Sequence, residues 1–280
     1  MGVKDELTPI LRAMEVVAVR RVGPAVLHCG ALHGRQVVAV ETGIGKVNAA
    51  AATQVVIDTY HPSRLLFTGS AGSLSPDLDV GDLVIAEAVA LHDMGAQRRD
   101  EFVPTGFMVL DEKGRHRYGR RIWAATEMVA LARRTAEDLT WENSPDGRPL
   151  RVHVGTVVTG DQVILSGDKR EWLRDRFGAL AVEMEGAAFA QVAAANEVPW
   201  LLVRSVSDHA DHHFEFAFEL WQDYLDDVQT PQARAGRILD RLTYVANDPK
   251  ALLRARRFLR NLKYAAGNAA RLTEAIVKAL

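Results

Sequence analysis

The residues best suited to chemistry in this sequence are a few carboxylates set among glycine turns. Glu183 and Glu185 flank Met184 just before Gly186, and Asp208 follows the apolar run from Trp200 to Val206. A carboxyl group behind such a strand loses solvent, which raises its pKa and lets it hold a proton near neutrality, as a general acid must. The plainer readings are that Asp208 caps the next helix, that Glu185 is a first-turn glutamate favoured by the helix dipole, and that Met184 is a core side chain. Thr42-Gly43-Ile44-Gly45-Lys46 is a glycine turn that could bring backbone amides against an anion, or a simple tight turn. It lacks the upstream glycine of a P-loop and the third glycine of a dinucleotide fingerprint. His209, His212 and His213, with Asp208 and Asp211, have the residue types of a metal site, but a polar pocket rim or a helix start is the simpler expectation.

These side chains need a scaffold, and the hydrophobic pattern from Val37 to Val206 supplies one. β-Branched apolar runs at 37–40, 65–67, 83–89, 152–158 and 200–206 alternate with helical patterns at 47–60, 122–139 and 185–196. That alternation predicts an α/β domain, a central sheet covered by helices, with function at the strand ends. The stretch 92–120 has little periodicity and reads as one long loop; 141–149 reads as a shorter one. After about Glu215 the pattern is helical throughout. Residues 249–280 carry eight Lys or Arg against one acid, Glu274, with Leu252, Leu253, Leu259, Leu262 and Ala266 near helical spacing. They predict a basic, amphipathic extension, 246–280, behind a catalytic domain, 1–245.

Thr68-Gly69-Ser70-Ala71-Gly72, Val182-Glu183-Met184-Glu185-Gly186-Ala187-Ala188 and Arg204-Ser205-Val206-Ser207-Asp208-His209-Ala210-Asp211 stand in that order, with Gly81-Asp82, His92-Asp93 and Thr159-Gly160-Asp161-Gln162 between them. Together with the Gly43 turn, these segments resemble the signature of the purine nucleoside phosphorylase superfamily. They are most similar to the methylthioadenosine/S-adenosylhomocysteine nucleosidases, over about residues 30 to 210. The resemblance implies a three-layer fold with a central mixed, partly barrelled sheet and no metal or other cofactor. Its reaction is hydrolysis of the N-glycosidic bond of a purine nucleoside, such as a 5'-thioadenosine, releasing adenine. Cleavage passes through an oxocarbenium-like ribose, and the base leaves easily only if an acid protonates it.

By the same resemblance Asp208 is that acid and Glu185 takes the ribose diol, its charge close to the developing cation. Met184 would pack on the sugar, Glu183 would support, and Ser70, Ala71, Gly72, Ser207, Val163 and Ile164 would line the site. Val163 stands where the nucleosidases carry a phenylalanine, so stacking on the purine would be weaker and the pocket wider. The residue that activates water matches Glu6; Glu15, in Ala13-Met14-Glu15, imitates the motif but lies close to Gly30. Only five residues precede Glu6, so the strand that the family places there is expected to be missing or truncated. Asp82 falls where related phosphorylases carry a phosphate-clamping arginine, and a carboxylate there would repel phosphate and favour water.

Composition narrows the partners. Lys plus Arg is 34 against 36 for Asp plus Glu, a net charge of -2 that gives no general reason to expect nucleic acid or an anionic membrane. A lone cysteine, Cys29, suits a reducing compartment, and no apolar run is long enough for a membrane span, so a cytoplasmic protein is expected. The family resembled forms dimers, so a homo-oligomer is expected. Two rivals remain at this point: a phosphorylase or a futalosine-type nucleosidase, and a nucleoside-binding protein that has lost turnover.

Overall fold

The structure, a computed structural model, describes residues 4–23, 25–110, 116–211, 245 and 247–280. It opens on helix α1 (Lys4–Ala13), followed by β1 (Glu15–Val22), β2 (Ala25–Leu32) and β3 (Arg35–Glu41), which form an antiparallel sheet. Helix α2 (Lys46–Tyr60) leads to β4 (Leu65–Ser73) and β5 (Leu83–Leu91). Two hairpins follow, β6 (Gly95–Arg98) with β7 (Glu101–Pro104) and β8 (Phe107–Leu110) with β9 (His116–Gly119). The rest runs β10 (Ile122–Trp123), α3 (Thr126–Asp138), β11 (Val152–Thr159), α4 (Gly167–Phe177), β12 (Ala179–Glu183), α5 (Gly186–Ala195) and β13 (Trp200–Asp208). The last helix described, α6, spans Ala251–Ala279.

The expected barrelled sheet is present. Neighbours run β5, β11, β12, β4, β13, and β13 pairs back onto β5, so five strands close a ring with β10 added beside β5. The ring is mixed: β11 is parallel to β5 and β12, β13 is parallel to β4, and the β12–β4 and β13–β5 pairs are antiparallel. Strands buried on both faces need continuous apolar sequence, and β5, Leu83-Val84-Ile85-Ala86-Glu87-Ala88-Val89-Ala90-Leu91, is buried at every position but Glu87. Val84, Ala86, Val89, Val157, Leu202 and Val206 pack with Phe189 and Trp200, joining α5 to the barrel. Truncating a side chain such as Leu202 to alanine there costs about 2–5 kcal/mol.

Three expectations change. The stretch 92–120 is not one loop but carries the two hairpins, whose four-residue strands are too short to show a hydrophobic period. The apolar pattern at 122–139 is divided between β10 and α3. The buried face of α6 is also turned from the one expected. Leu252, Leu253 and Leu259 are exposed, while Ala255, Ala265, Ala266, Ala269, Ala270, Leu272 and Ile276 are buried. Alanines let the helix axis approach the barrel closely, and Ala269, Leu272 and Ile276 share a core with Leu83, Ile85, Leu201 and Val203. That close approach also explains Gly81. Its φ is +93°, and a Cβ there would lie 2.4 Å from the ring of Tyr264.

Candidate active site

A cavity of about 250 Å3 opens at the C-terminal ends of β4, β12 and β13. Eleven of the residues proposed from sequence line it: Glu6 from α1, Ser70, Ala71 and Gly72 from β4, Val163 and Ile164 after β11, Glu183 ending β12, Met184 and Glu185 after it, and Ser207 and Asp208 ending β13. A larger cavity, about 710 Å3, lies among α1, β3 and β4; among the described residues its lining includes no carboxylate and none of the candidates. The smaller cavity is the one lined by Glu6, Glu183, Glu185 and Asp208. Glu15 is exposed on β1 and does not reach it.

The two glycines within strand β4, Gly69 and Gly72, are spaced to admit charged neighbours on either side. A Cβ on Gly69 would lie 2.2 Å from Arg204 Nη1 and 2.9 Å from Glu6 Oε1, and one on Gly72 would lie 3.1 Å from Asp208 Oδ1. Between them, Ser70 donates from its amide and its hydroxyl to Glu6 Oε1, at 2.8 and 2.7 Å. Glu6 is 5% exposed, so this carboxylate is held inside the cavity wall.

Asp208 lies at the other end of this stretch of β4, beside Gly72. Its Oδ1 accepts the Ala210 amide at 2.9 Å, and its Oδ2 is 2.7 Å from Ser207 Oγ, which is also 3.2 Å from the Ala71 carbonyl. Desolvation raises the Asp208 pKa above the ordinary carboxylate value, against the lowering effect of the Ser207 and Ala210 hydrogen bonds. With one hydrogen to give, the Ser207 hydroxyl can donate to Ala71 and accept from a protonated Asp208.

Glu185 stands at the start of α5, where Oε1 accepts the Gly45 amide at 2.8 Å and Oε2 lies 3.4 Å from Arg204 Nη2. Burial pushes its pKa up to about 7, reinforced by the neighbouring Glu183 and opposed by Arg204 and the Gly45 amide. Glu183 accepts the amides of Glu185, at 3.0 Å, and Gly186, at 2.8 Å, together with the Thr159 hydroxyl and the Arg204 guanidinium. Its negative charge thus sits at the N-terminus of α5, the favourable end of the helix dipole.

Arg204 was not among the sequence candidates, although a signal existed: one cation in an otherwise apolar strand must find carboxylates. It is 1% exposed and bridges Glu183 and Glu185. Ile44, Gln162 and, from α6, Phe258, Leu259 and Leu262 complete the wall; nothing in the sequence placed the distant helix beside the carboxylates.

One expectation is corrected. Asp82 does not face the cavity. It is fully buried elsewhere, accepting from Arg148 Nη1 and the Arg151 amide, each at 2.9 Å, so it cannot select the nucleophile. Of the residues weighed for a metal site, His209 and Asp211 each face another partner. His209 lies 3.3 Å from Asp79 and Asp211 3.8 Å from Arg170, while His212 and His213 lie outside the described residues.

A closed mixed barrel with a carboxylate-lined cavity at its strand ends has known counterparts. The chain belongs to the phosphorylase superfamily, whose family model matches residues 1–243. It is 34% identical over 210 residues to the 5'-methylthioadenosine/S-adenosylhomocysteine nucleosidase of Mycobacterium bovis, covering 71% of this chain and 80% of that one. It is 30% identical to the aminodeoxyfutalosine nucleosidase of Helicobacter pylori, covering 78% and 87%. Among solved structures it is similar to the Neisseria meningitidis 5'-methylthioadenosine/S-adenosylhomocysteine nucleosidase in complex with methylthio-immucillin-A. That match has a TM-score of 0.71 and 27% identity, covering 100% of this chain and 96% of that one.

Proposed function

We propose that this protein hydrolyses the N-glycosidic bond of a 5'-thioadenosine, methylthioadenosine or S-adenosylhomocysteine, releasing adenine. The observation that carries the reading is the division of labour along β4. One cavity holds a carboxyl with a raised pKa, Asp208, at one end of the Gly69–Gly72 stretch of β4 and a carboxylate fixed by Ser70, Glu6, at the other. Asp208 donates its proton to the leaving purine, and Glu6 takes a proton from the attacking water. Glu185, between them, accepts hydrogen bonds from the ribose hydroxyls and stabilises the cationic sugar. Met184 and Ile44 cover the sugar, and the 162–164 segment meets the base. Arg204 is the single cation among the described lining residues, and Glu183 and Glu185 already hold it. A phosphate dianion would meet Glu6, Glu183 and Glu185 there, so water is the nucleophile.

Residues 1–245 form the catalytic part in this reading, and 246–280 an extension whose Phe258, Leu259 and Leu262 close the pocket. The protein acts in the cytoplasm as a homodimer, without metal, nucleic acid or membrane partners; no described helix is long and apolar enough to cross a membrane. A futalosine-type substrate is the second reading, favoured by the similarity to the aminodeoxyfutalosine nucleosidase and by the small Val163 at the pocket. Incubation with methylthioadenosine, adenosylhomocysteine, aminodeoxyfutalosine, adenosine and inosine, with and without phosphate, tests both. Adenine released from the thioadenosines independently of phosphate supports the reading; a phosphate requirement, or no release from any of them, overturns it.

A further inference from the structure

We infer that Asp93 is a positioning residue that sets the grip of Glu185 on the ribose, acting through the glycine turn at 43–46. The Asp93 side chain does not line the cavity. It lies at the end of β5 and joins two segments that do. Its two oxygens each accept from Lys46 Nζ at 2.7 Å, and Oδ2 also accepts the Asp161 amide at 2.8 Å. Asp161 in turn accepts the Lys46 amide through Oδ1, at 2.9 Å. Lys46, Asp93 and Asp161 thus form a closed three-residue latch.

What the latch holds is the N-terminus of α2. Gly45, the residue before that helix, has φ +91° and no side chain to cap it, and its amide donates to Glu185. Asp161 caps the next amide, and its Oδ1 would lie 3.1 Å from a Cβ on Gly45, so the turn fits against this carboxylate. The other arm of the latch carries Gln162, Val163 and Ile164 to the base side of the cavity. Lys46 holds the Asp93 carboxyl below the ordinary range, so the hub stays charged near neutrality even though burial opposes this. The latch is 13% exposed at Asp93 and 24% at Lys46, so water screens it only in part. An error of a few tenths of an ångström at Gly45 passes directly to a carboxylate that must meet two hydroxyls at once.

The inference rests on the diol-binding role of Glu185 proposed above, and its test separates the two. Wild type, Asp93→Asn, Asp93→Glu, Lys46→Met and Glu185→Gln are compared on 5'-methylthioadenosine and its 2'-deoxy counterpart, with melting temperature as a check on folding. Asp93→Asn is expected to reduce the ribose-over-deoxyribose preference in kcat/KM by about tenfold. Lys46→Met should do the same, Asp93→Glu should restore part of it, and Asp93→Asn should change the preference no further once Glu185→Gln is present. Equal loss on both sugars, or a preference as strong as wild type in the Asp93 and Lys46 variants, overturns the inference while the Glu185 reading stands. A wild type that turns over both sugars equally overturns both. Should Asp93→Asn fail to fold, Lys46→Met carries the same comparison.

Discussion

Glu6 Oε1 takes both of the hydrogen bonds that Ser70 can donate, from its amide at 2.8 Å and its hydroxyl at 2.7 Å. One oxygen held twice fixes the plane of the carboxylate, which is what a base acting on a positioned water requires. Glu6→Gln keeps an oxygen for Ser70 and loses the basicity. We expect kcat to fall by about 10²–10⁴ with nucleoside affinity changed only a few-fold. Rapid-quench measurement of adenine release beside calorimetric binding decides it, and a kcat within about tenfold of wild type would remove Glu6 from the mechanism.

Asp208→Asn preserves an acceptor for the Ala210 amide but has no proton to transfer. Turnover should drop by about 10² or more while substrate binding stays within an order of magnitude. Retention of more than about a tenth of wild-type kcat would mean that the acid is elsewhere.

Arg204 stands between two buried carboxylates, and removing one member of such a group strands the others. Arg204→Met is expected to destabilise the fold by about 3–5 kcal/mol, read as a lower urea midpoint at unchanged slope. Adding Glu183→Gln should recover part of that loss. A single variant as stable as wild type would show that the guanidinium carries no weight in the core.

Stability should respond to pH through two groups of opposite sign. His92 is buried, neither ring nitrogen has a hydrogen-bond partner among the described residues, and desolvation is the main cause of a pKa lowered from 6.5 to about 4. The unfolded chain therefore binds more protons between those values, so this group weakens the fold as pH falls through the window and has no effect above it. Glu185, raised from 4.5 to about 7, does the reverse: the folded state holds the extra proton, and stability from this group is lost as pH rises through that range. His92→Phe should flatten the acid side of the profile and Glu185→Gln the neutral side, in urea titrations from about pH 4 to 8. Curves that merely shift in parallel would contradict both assignments.

How much of this was legible in the sequence followed from burial. β5 and the first half of β13 could be read because strand residues covered on both faces are largely apolar. β1 could not, since seven of its eight residues are exposed. Nor could α4, whose Gly167-Asp168-Lys169-Arg170-Glu171 start has no hydrophobic face to read. Most candidate residues were recognisable by motif and meet in the cavity, but Glu15 and Asp82 do not. The phase of α6 was misread because leucines suggest a core face, whereas this helix buries alanines to come close to the barrel. Asp82 was misread for a related reason: its partner, Arg148, lies 66 residues away in a loop that no local pattern connects to it.

The ring of strands also has a consequence in time. β13 is the last strand of the barrel in chain order, and it pairs with both β4 and β5, more than a hundred residues earlier. Until it inserts, the barrel is open along two edges, and such distant pairings are slow to form. Asp208 ends this same strand, so it reaches the cavity only in the step that closes the barrel.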